Sequence, residues 1–197
     1  MIRLQEAAGL EIVTDGEMRR QSFQSQMTEA IDGFGECTLD AFLWGQWKGD
    51  TETDEWGKDR PSNLGVVSKL ARRRYLSVDE FVFLKSHTRQ TPKITLPSPS
   101  LFANFWSFEH SKHAYPTLDS FLPDVVDILR GEVAELIRHG ATYIQLDAPH
   151  YCLLLDPKTR AFYEAQSWNI EIWLNRGIEM DNAVMGNNPE VTFGFHL

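Results

Sequence analysis

PTLDSFLPDVVDILRGEVAELIRHGATYIQLDAP, residues 116–149, holds one helix-then-strand unit with both ends marked. Thr117, Asp119 and Ser120 can cap a helix, and Pro123 suits only a first turn, where no backbone donor is needed. Apolar residues then fall at Leu122, Val125, Val126, Leu129, Val133, Leu136 and Ile137, one stripe at helical period. Gly140 follows and can take the left-handed conformation that ends a helix. Ala141 to Asp147 is short and β-prone, and Ala148-Pro149 stops it, because proline removes a ladder donor. The unit therefore predicts a helix packed on a strand whose carboxyl end carries Asp147.

Similar units lie on either side. Leu10 to Glu17 reads as a strand ending in a polar turn, Lys93 to Ser98 as another, and Val191 to His196 as the last, with only Leu197 after it. A helix is expected from about Thr159 to Met180, with Ile170, Trp173, Leu174 and Ile178 on one face, and a short one over Val78–Lys85. Ahead of both, 33–68 is rich in Gly, Asp, Thr and Trp with little periodicity. It is read as a long excursion from a single domain spanning 1–197, in which Trp44, Trp47 and Trp56 pack the excursion down or cover a ligand. Alternating strands and helices predict an α/β fold, a partial (β/α)8 barrel of about four βα units where a full barrel needs about eight units and 250 residues. A half barrel leaves strand edges open, which predicts self-association through them.

Composition narrows the function. With 42% hydrophobic residues the chain can bury a core, so whole-chain disorder is excluded. The formal charge of -9 repels phosphate backbones, so no nucleic-acid partner is expected. The one basic run, Arg72-Arg73-Arg74, is read as a solvated helix face. No apolar run reaches the roughly 20 residues that cross a bilayer, so no membrane partner is expected. Two cysteines, Cys37 and Cys152, are too few for a disulfide framework, which fits a cytoplasmic protein. No P-loop, G-x-G-x-x-G or G-x-S-x-G occurs, which removes the familiar nucleotide-binding loops and the serine-hydrolase elbow.

In parallel α/β folds, polar residues at the carboxyl ends of strands converge on one mouth. Glu17 and Asp147 are such residues; two carboxylates there could work as acid and base, hold a metal, or hold a substrate ammonium group. The plainer alternative is that each caps a helix or pairs with an arginine such as Arg19. Ser98 and Ser100 bring hydroxyls to a second strand end. His196, at the end of the last strand, could ligate zinc or simply hydrogen-bond, and His150 beside Pro149 has the same two readings.

Four stretches resemble the cobalamin-independent methionine synthases, specifically their carboxyl-terminal catalytic barrel and the shorter proteins similar to it. They are Ala8 to Glu17, Phe105-Trp106-Ser107-Phe108, Tyr143 to Pro149 and Phe193 to Leu197, in the family's order and spanning nearly the whole chain. The resemblance implies a zinc-dependent methyltransferase in which zinc activates a small-molecule thiol, and the thiol takes a methyl group from a methylated folate. It implies that Glu17 and Asp147 hold the amino group of homocysteine, that Trp106 lies near the folate and that His196 is the first zinc ligand; Ser98, from its own strand end, is expected to join the substrate site.

Two departures qualify it. Asp147-Ala148-Pro149 stands where the full methionine synthases have Asp-Glu-Pro, which resembles the shorter relatives and opens the thiol to others, as in the coenzyme M transferases. The family continues His-x-Cys with a further acidic ligand and another cysteine, whereas only Leu197 follows His196, so the zinc site is expected to be incomplete in a truncated chain. Alternative readings are a non-catalytic half barrel that binds a ligand or assembles, and a decarboxylase on the same barrel, as in the uroporphyrinogen decarboxylases.

Overall fold

The computed structural model describes residues 1–20, 25–36, 64–165 and 169–197. The expected strands appear as β1 (Ile12–Val13), β4 (Thr91–Pro97), β5 (Tyr143–Asp147) and β6 (Thr192–His196), a four-stranded sheet in the order β1-β4-β5-β6. Every neighbouring pair is parallel, as βα crossovers require. The chain is thus an α/β fold built on a parallel sheet.

Helices connect the strands: α1 (Ile2–Ala7), α2 (Ser25–Ala30), α3 (Val78–His87), α4 (Phe108–Ser111), α5 (Leu118–Arg138), α6 (His150–Leu153), α7 (Pro157–Ala165) and α8 (Ile170–Met185). A 3-10 helix over Pro99–Phe105 follows β4. Helix α5 begins with a capping box, Thr117 Oγ1 accepting from Ser120 N at 3.1 Å and Ser120 Oγ lying 3.2 Å from Thr117 N. It ends at the left-handed Gly140, φ +85°. Pro123 sits inside α5 rather than in its first turn. The carbonyl that loses its donor is that of exposed Asp119, where water can satisfy it.

The alternation of each strand sorts its side chains. Ile94, Leu96, Ile144 and Leu146 are buried in one core with the α5 stripe of Leu122, Val125, Leu129, Val133 and Leu136. Their in-between neighbours Lys93, Thr95, Gln145 and Asp147 take the opposite face.

The long helix expected over 159–180 is two helices, α7 and α8, and Asn169 caps the second by accepting from Ile172 N at 3.0 Å. On α8, Ile170 and Trp173 face the core, but Ile178 is 52% exposed, and Gly177, Met180, Asp181 and Val184 are buried instead. The basic run is not a helix face. Arg72 ends strand β3 (Leu64–Arg72), which pairs antiparallel with β2 (Ile31–Glu36). The ends of the excursion therefore form a β-ribbon that periodicity did not reveal. Its pairing slips between Asp32 and Phe34, where Gly33 has φ +115° and an added Cβ would stand 2.9 Å from the Lys69 carbonyl. Phe34 meets Phe105 edge-on at 5.5 Å, and Tyr115 Oη accepts from Leu70 N at 2.8 Å, so the ribbon is fastened to the helical layer. Trp44, Trp47, Trp56 and Cys37 lie outside the described residues. Among the described residues no helix is long and apolar enough to cross a membrane.

Leu129 is fully buried at the centre of the α5 stripe. Leu129→Ala is expected to cost about 2–5 kcal/mol in urea unfolding, because the surrounding core relaxes only partly around the lost volume.

Candidate substrate site at the strand ends

The carboxyl end of β1 turns sharply. Gln5 of α1 holds Thr14 as a strand partner would, its Nε2 donating to Thr14 O at 2.7 Å and its Oε1 accepting from Thr14 N at 2.9 Å. Asp15 Oδ1 accepts from Glu17 N at 3.0 Å, and Thr14 Oγ1 from Gly16 N at 2.7 Å. Gly16 and Glu17 both have positive φ, +70° and +55°. For a glutamate that conformation costs about 1–3 kcal/mol and persists only where surrounding contacts over-determine it.

Here the contacts come from Arg20, whose side chain is 2% exposed. Its Nη1 donates to Glu17 Oε1 at 2.9 Å and to Thr95 Oγ1 at 3.0 Å, and Thr95 Oγ1 itself donates to Glu17 Oε1. The other edge of the guanidinium binds Glu80 Oε2 through Nε at 3.1 Å and Nη2 at 2.9 Å. Gln26 closes the far side of Glu80 at 2.6 Å. The pairing partner of Glu17 is thus Arg20, not Arg19, whose guanidinium lies 3.9 Å over the Phe83 ring.

Glu17 enters a cavity of about 440 Å³ lined by Thr14, Gly16, Lys93, Thr95, Gln145, Asp147, Pro149 and His196 as well. Asp147, at the end of β5, accepts from Gln145 Nε2 at 2.7 Å, and His196 Nδ1 of β6 stands 3.6 Å from the same oxygen. Burial pushes the Asp147 carboxyl above the usual range, and the negative charge of Glu17 pushes the same way. Hydrogen bonding from Gln145 and the nearby His196 and Lys93 side chains oppose them.

The structure therefore gathers Glu17, Asp147 and His196. Ser98 is elsewhere: it is fully buried and spends its hydroxyl on Asp181 Oδ1 at 2.7 Å, and it does not line the cavity. Trp106 is also outside the cavity lining, packing on the core with its Nε1 donating to Tyr115 O at 3.0 Å. His150 is fully buried with Nε2 at 2.8 Å from Ser100 Oγ, which is the hydrogen-bonding reading of that residue. Sequence reasoning passed over Lys93, Thr95 and Gln145, although their two-residue spacing with Asp147's strand register marks the inward face. It passed over Arg20 because nothing local separates it from Arg19.

Zinc requires about four closely grouped ligands. Among the described residues no group of three or more His, Cys, Asp and Glu is placed to hold a metal, the one carboxylate within ion-pair range of His196 is Asp147, and Cys152 is a free exposed thiol elsewhere. The described residues do not by themselves fit a zinc ion.

No family model matches the chain. Methionine synthase of Pyrococcus furiosus is 33% identical over 150 residues, 76% of this chain and 39% of its own length. The 5-methyltetrahydropteroyltriglutamate–homocysteine methyltransferase of a Synechococcus species is 29% identical over 196 residues, covering 100% of this chain and 23% of that protein. The chain belongs to the cobalamin-independent methionine synthase family. A solved B12-independent methionine synthase from Shewanella sp. W3-18-1, in complex with selenomethionine, matches the fold with a TM-score of 0.65 at 23% identity, over 100% of this chain and 50% of that one. The chain thus spans half or less of the length of these family members.

A carboxyl raised by burial favours folding below its unfolded pKa of 3.8 and loses that contribution as pH rises through its folded value. Asp147→Asn is therefore expected to raise the melting temperature at pH 7, with the difference from wild type shrinking as the pH is lowered towards 3.8. A lower melting temperature at pH 7 would show that Asp147 stabilises the fold instead.

Proposed function

We propose that the strand-end cavity binds an amino-acid thiol of the homocysteine type, and that the chain carries the thiol-binding part of a methyltransferase in which that thiol takes a methyl group from a methylated folate. The reading is carried by one observation: two carboxylates from separate strand ends, Glu17 and Asp147, enter the same cavity. Glu17 is held in place by its 2.9 Å contact with Arg20, so the pair offers a fixed carboxylate locus to an ammonium group. In the transfer a sulfur–carbon bond forms as the folate nitrogen–carbon bond breaks, the thiol loses its proton, and the released folate nitrogen takes up one in balance. The family relatives named methionine synthase and homocysteine methyltransferase support this chemistry.

In this proposal His196 offers a zinc ion one imidazole at the cavity rim, where a metal would lower the thiol pKa. The remaining ligands would have to come from outside the described residues. The sheet itself is proposed as part of a (β/α)8 barrel, supported by its parallel order and by the fold likeness.

A second observation favours assembly through the sheet edges. β1 and β6 each lack an outer neighbour among the described residues, and Ile12, Phe195 and Leu197 near those edges are 42%, 40% and 60% exposed. A second copy could place its β1 beside β6 and its β6 beside β1, completing eight parallel strands about a twofold axis. Sedimentation equilibrium checks this: a dimer at micromolar concentration supports it, and a monomer throughout that range removes it.

Titration calorimetry with methionine tests the leading reading. Glu17→Gln and Asp147→Asn are each expected to weaken binding about 10- to 100-fold, the loss typical of one charged hydrogen-bonding partner. Binding unchanged in both variants would sink it.

A further inference from the structure

Glu17 enters the cavity in a direction that its own main chain does not set. Its φ of +55° is one a glutamate seldom adopts, and the side chain keeps three rotatable bonds once the main chain is fixed. What fixes the carboxylate is Arg20. A guanidinium carries five N–H donors in one rigid plane, and Arg20 makes five bonds. Nε and Nη2 donate to Glu80 Oε2 at 3.1 and 2.9 Å, and Nη2 also donates to Thr95 O at 3.1 Å. Nη1 donates to Glu17 Oε1 at 2.9 Å and to Thr95 Oγ1 at 3.0 Å. Held along one edge by Glu80, the plane cannot turn, so the direction of Nη1 is set from behind. Among the described residues the bonds from Arg20 and from Thr95 Oγ1 both fall on Glu17 Oε1, which leaves Oε2 to a ligand.

Glu80 lies on α3 and does not line the cavity. Both of its oxygens accept: Oε2 from Arg20, and Oε1 from Gln26 Nε2 at 2.6 Å, while Gln26 Oε1 accepts from Ser77 Oγ at 2.9 Å. We propose that Glu80 is a positioning residue of the substrate site: by holding one edge of Arg20 it aims the Glu17 carboxylate at the ammonium group of the ligand, without touching the ligand itself. The inference rests on the substrate reading above and adds a residue that acts through another. The donor count makes the role specific to a carboxylate. Only a group with two acceptor oxygens can face Arg20 on one side and the Gln26 amide on the other. A glutamine of the same shape accepts on one side and presents an NH2 on the other, so a donor meets a donor and one of the partners has to turn. Exchanging the two residues restores the match. With Gln26→Glu beside Glu80→Gln, the new amide oxygen accepts from Arg20, its NH2 donates to the new carboxylate, and Ser77 keeps an acceptor.

The plain alternative is that Glu80 only supports the fold, in which case its loss would disturb the site whether or not Glu17 can answer. Titration calorimetry with methionine in two backgrounds, wild type and Glu17→Gln, separates the two readings. For Glu80→Gln the expected result is binding weakened about 5- to 50-fold in the wild-type background and changed by less than about twofold in the Glu17→Gln background. The exchanged pair is expected to return to within about threefold of wild type, a recovery that restored pairing explains and a general loss of support does not. Equal weakening in the two backgrounds, no weakening with Glu80→Gln, or a folded exchanged pair that recovers nothing overturns the assignment. Methionine that binds wild type but ignores Glu17→Gln overturns this inference while leaving Asp147 to carry the substrate reading. Wild type that binds no methionine rejects that reading and this inference with it. Circular-dichroism melts accompany each variant. If Glu80→Gln does not fold, Glu80→Asp, which keeps both acceptors at a shorter reach, carries the same comparison with an expected loss of about threefold or more confined to the wild-type background. Failure of both variants to fold assigns Glu80 to the fold alone and overturns the proposal.

Discussion

A single buried guanidinium connects the site to the core. Arg20 joins the turn after β1, the middle of β4 and helix α3 through Glu17, Thr95 and Glu80. An arginine cannot shed its charge at any pH a protein survives, so once it is out of water its neighbours must remain anionic or accept hydrogen bonds. That constraint extends inward. Glu80 is shared with Gln26, Gln26 accepts from Ser77 Oγ at 2.9 Å, and Ser77 N donates to Glu132 at 2.7 Å. The Glu132 carboxylate also accepts from Leu76 N at 2.8 Å, which binds the segment after β3 to the middle of α5. Removing one charge from such a chain leaves the other buried and unpaired, a loss larger than the pair itself contributes. The left-handed Glu17 is tolerable for the same reason, because the arginine that holds its carboxylate is held in turn by two further elements.

The sheet has two unlike faces, and the difference explains where a ligand can sit. The face bearing Ile94, Leu96, Ile144 and Leu146 is buried under helices, whereas Lys93, Thr95, Gln145 and Asp147 sit on the other. Closed barrels commonly fill their interior with branched apolar side chains. Here the upper part of that face is polar and its side chains satisfy one another in a row, Lys93 to Gln145 to Asp147. A polar face of this kind keeps its hydration until a ligand of matching charge replaces the water, which suits a binding site better than a packing surface.

What could be read in advance follows the same division. The α5–β5 unit was legible because its cap, stripe, terminal glycine and stop signal all agree, and local agreement of that kind survives tertiary context. Glu17, Asp147 and His196 were legible as strand-end residues because parallel strands bring their carboxyl ends together whatever the helices do. The β2–β3 ribbon was not, since its pairing joins residues about 30 to 40 apart and its bulge at Gly33 breaks the two-residue period on which strand reading depends. The division between α7 and α8 was missed because apolar residues continue on both sides of it, while the capping asparagine that starts α8 is a single residue. Ser98 was misplaced for a different reason: a hydroxyl at a strand end can turn to the cavity or away from it, and only the partner on a distant helix decides.

That partner is Asp181, and the cluster around it shows how the strand ends are held at the correct height. Asp181 on α8 is 1% exposed and accepts from Ser98 Oγ at 2.7 Å and Tyr151 Oη at 2.8 Å, taking one hydroxyl from the residue after β4 and one from α6, the short helix after β5. The phenol reaches it across Gly177, one helical turn earlier, where a Cβ would collide with the ring. Ser100, in the 3-10 helix after β4, joins the two strand ends directly through Ser98 Oγ at 2.9 Å and His150 Nε2 at 2.8 Å. Burial holds the His150 imidazole neutral, its pKa pushed down to about 4, and burial also pushes the Asp181 carboxyl upward, opposed by the hydrogen bonds from Ser98 and Tyr151. Among the described residues His150 Nδ1 has no hydrogen-bond partner, which a neutral ring tolerates far better than an imidazolium would. Since Ser98 N also donates to Asp147 O at 2.9 Å, the position of the Asp147 main chain is tied to the buried cluster and the direction of its side chain to Gln145. The carboxylate that faces the cavity is therefore located from behind by a helix that never reaches the cavity itself.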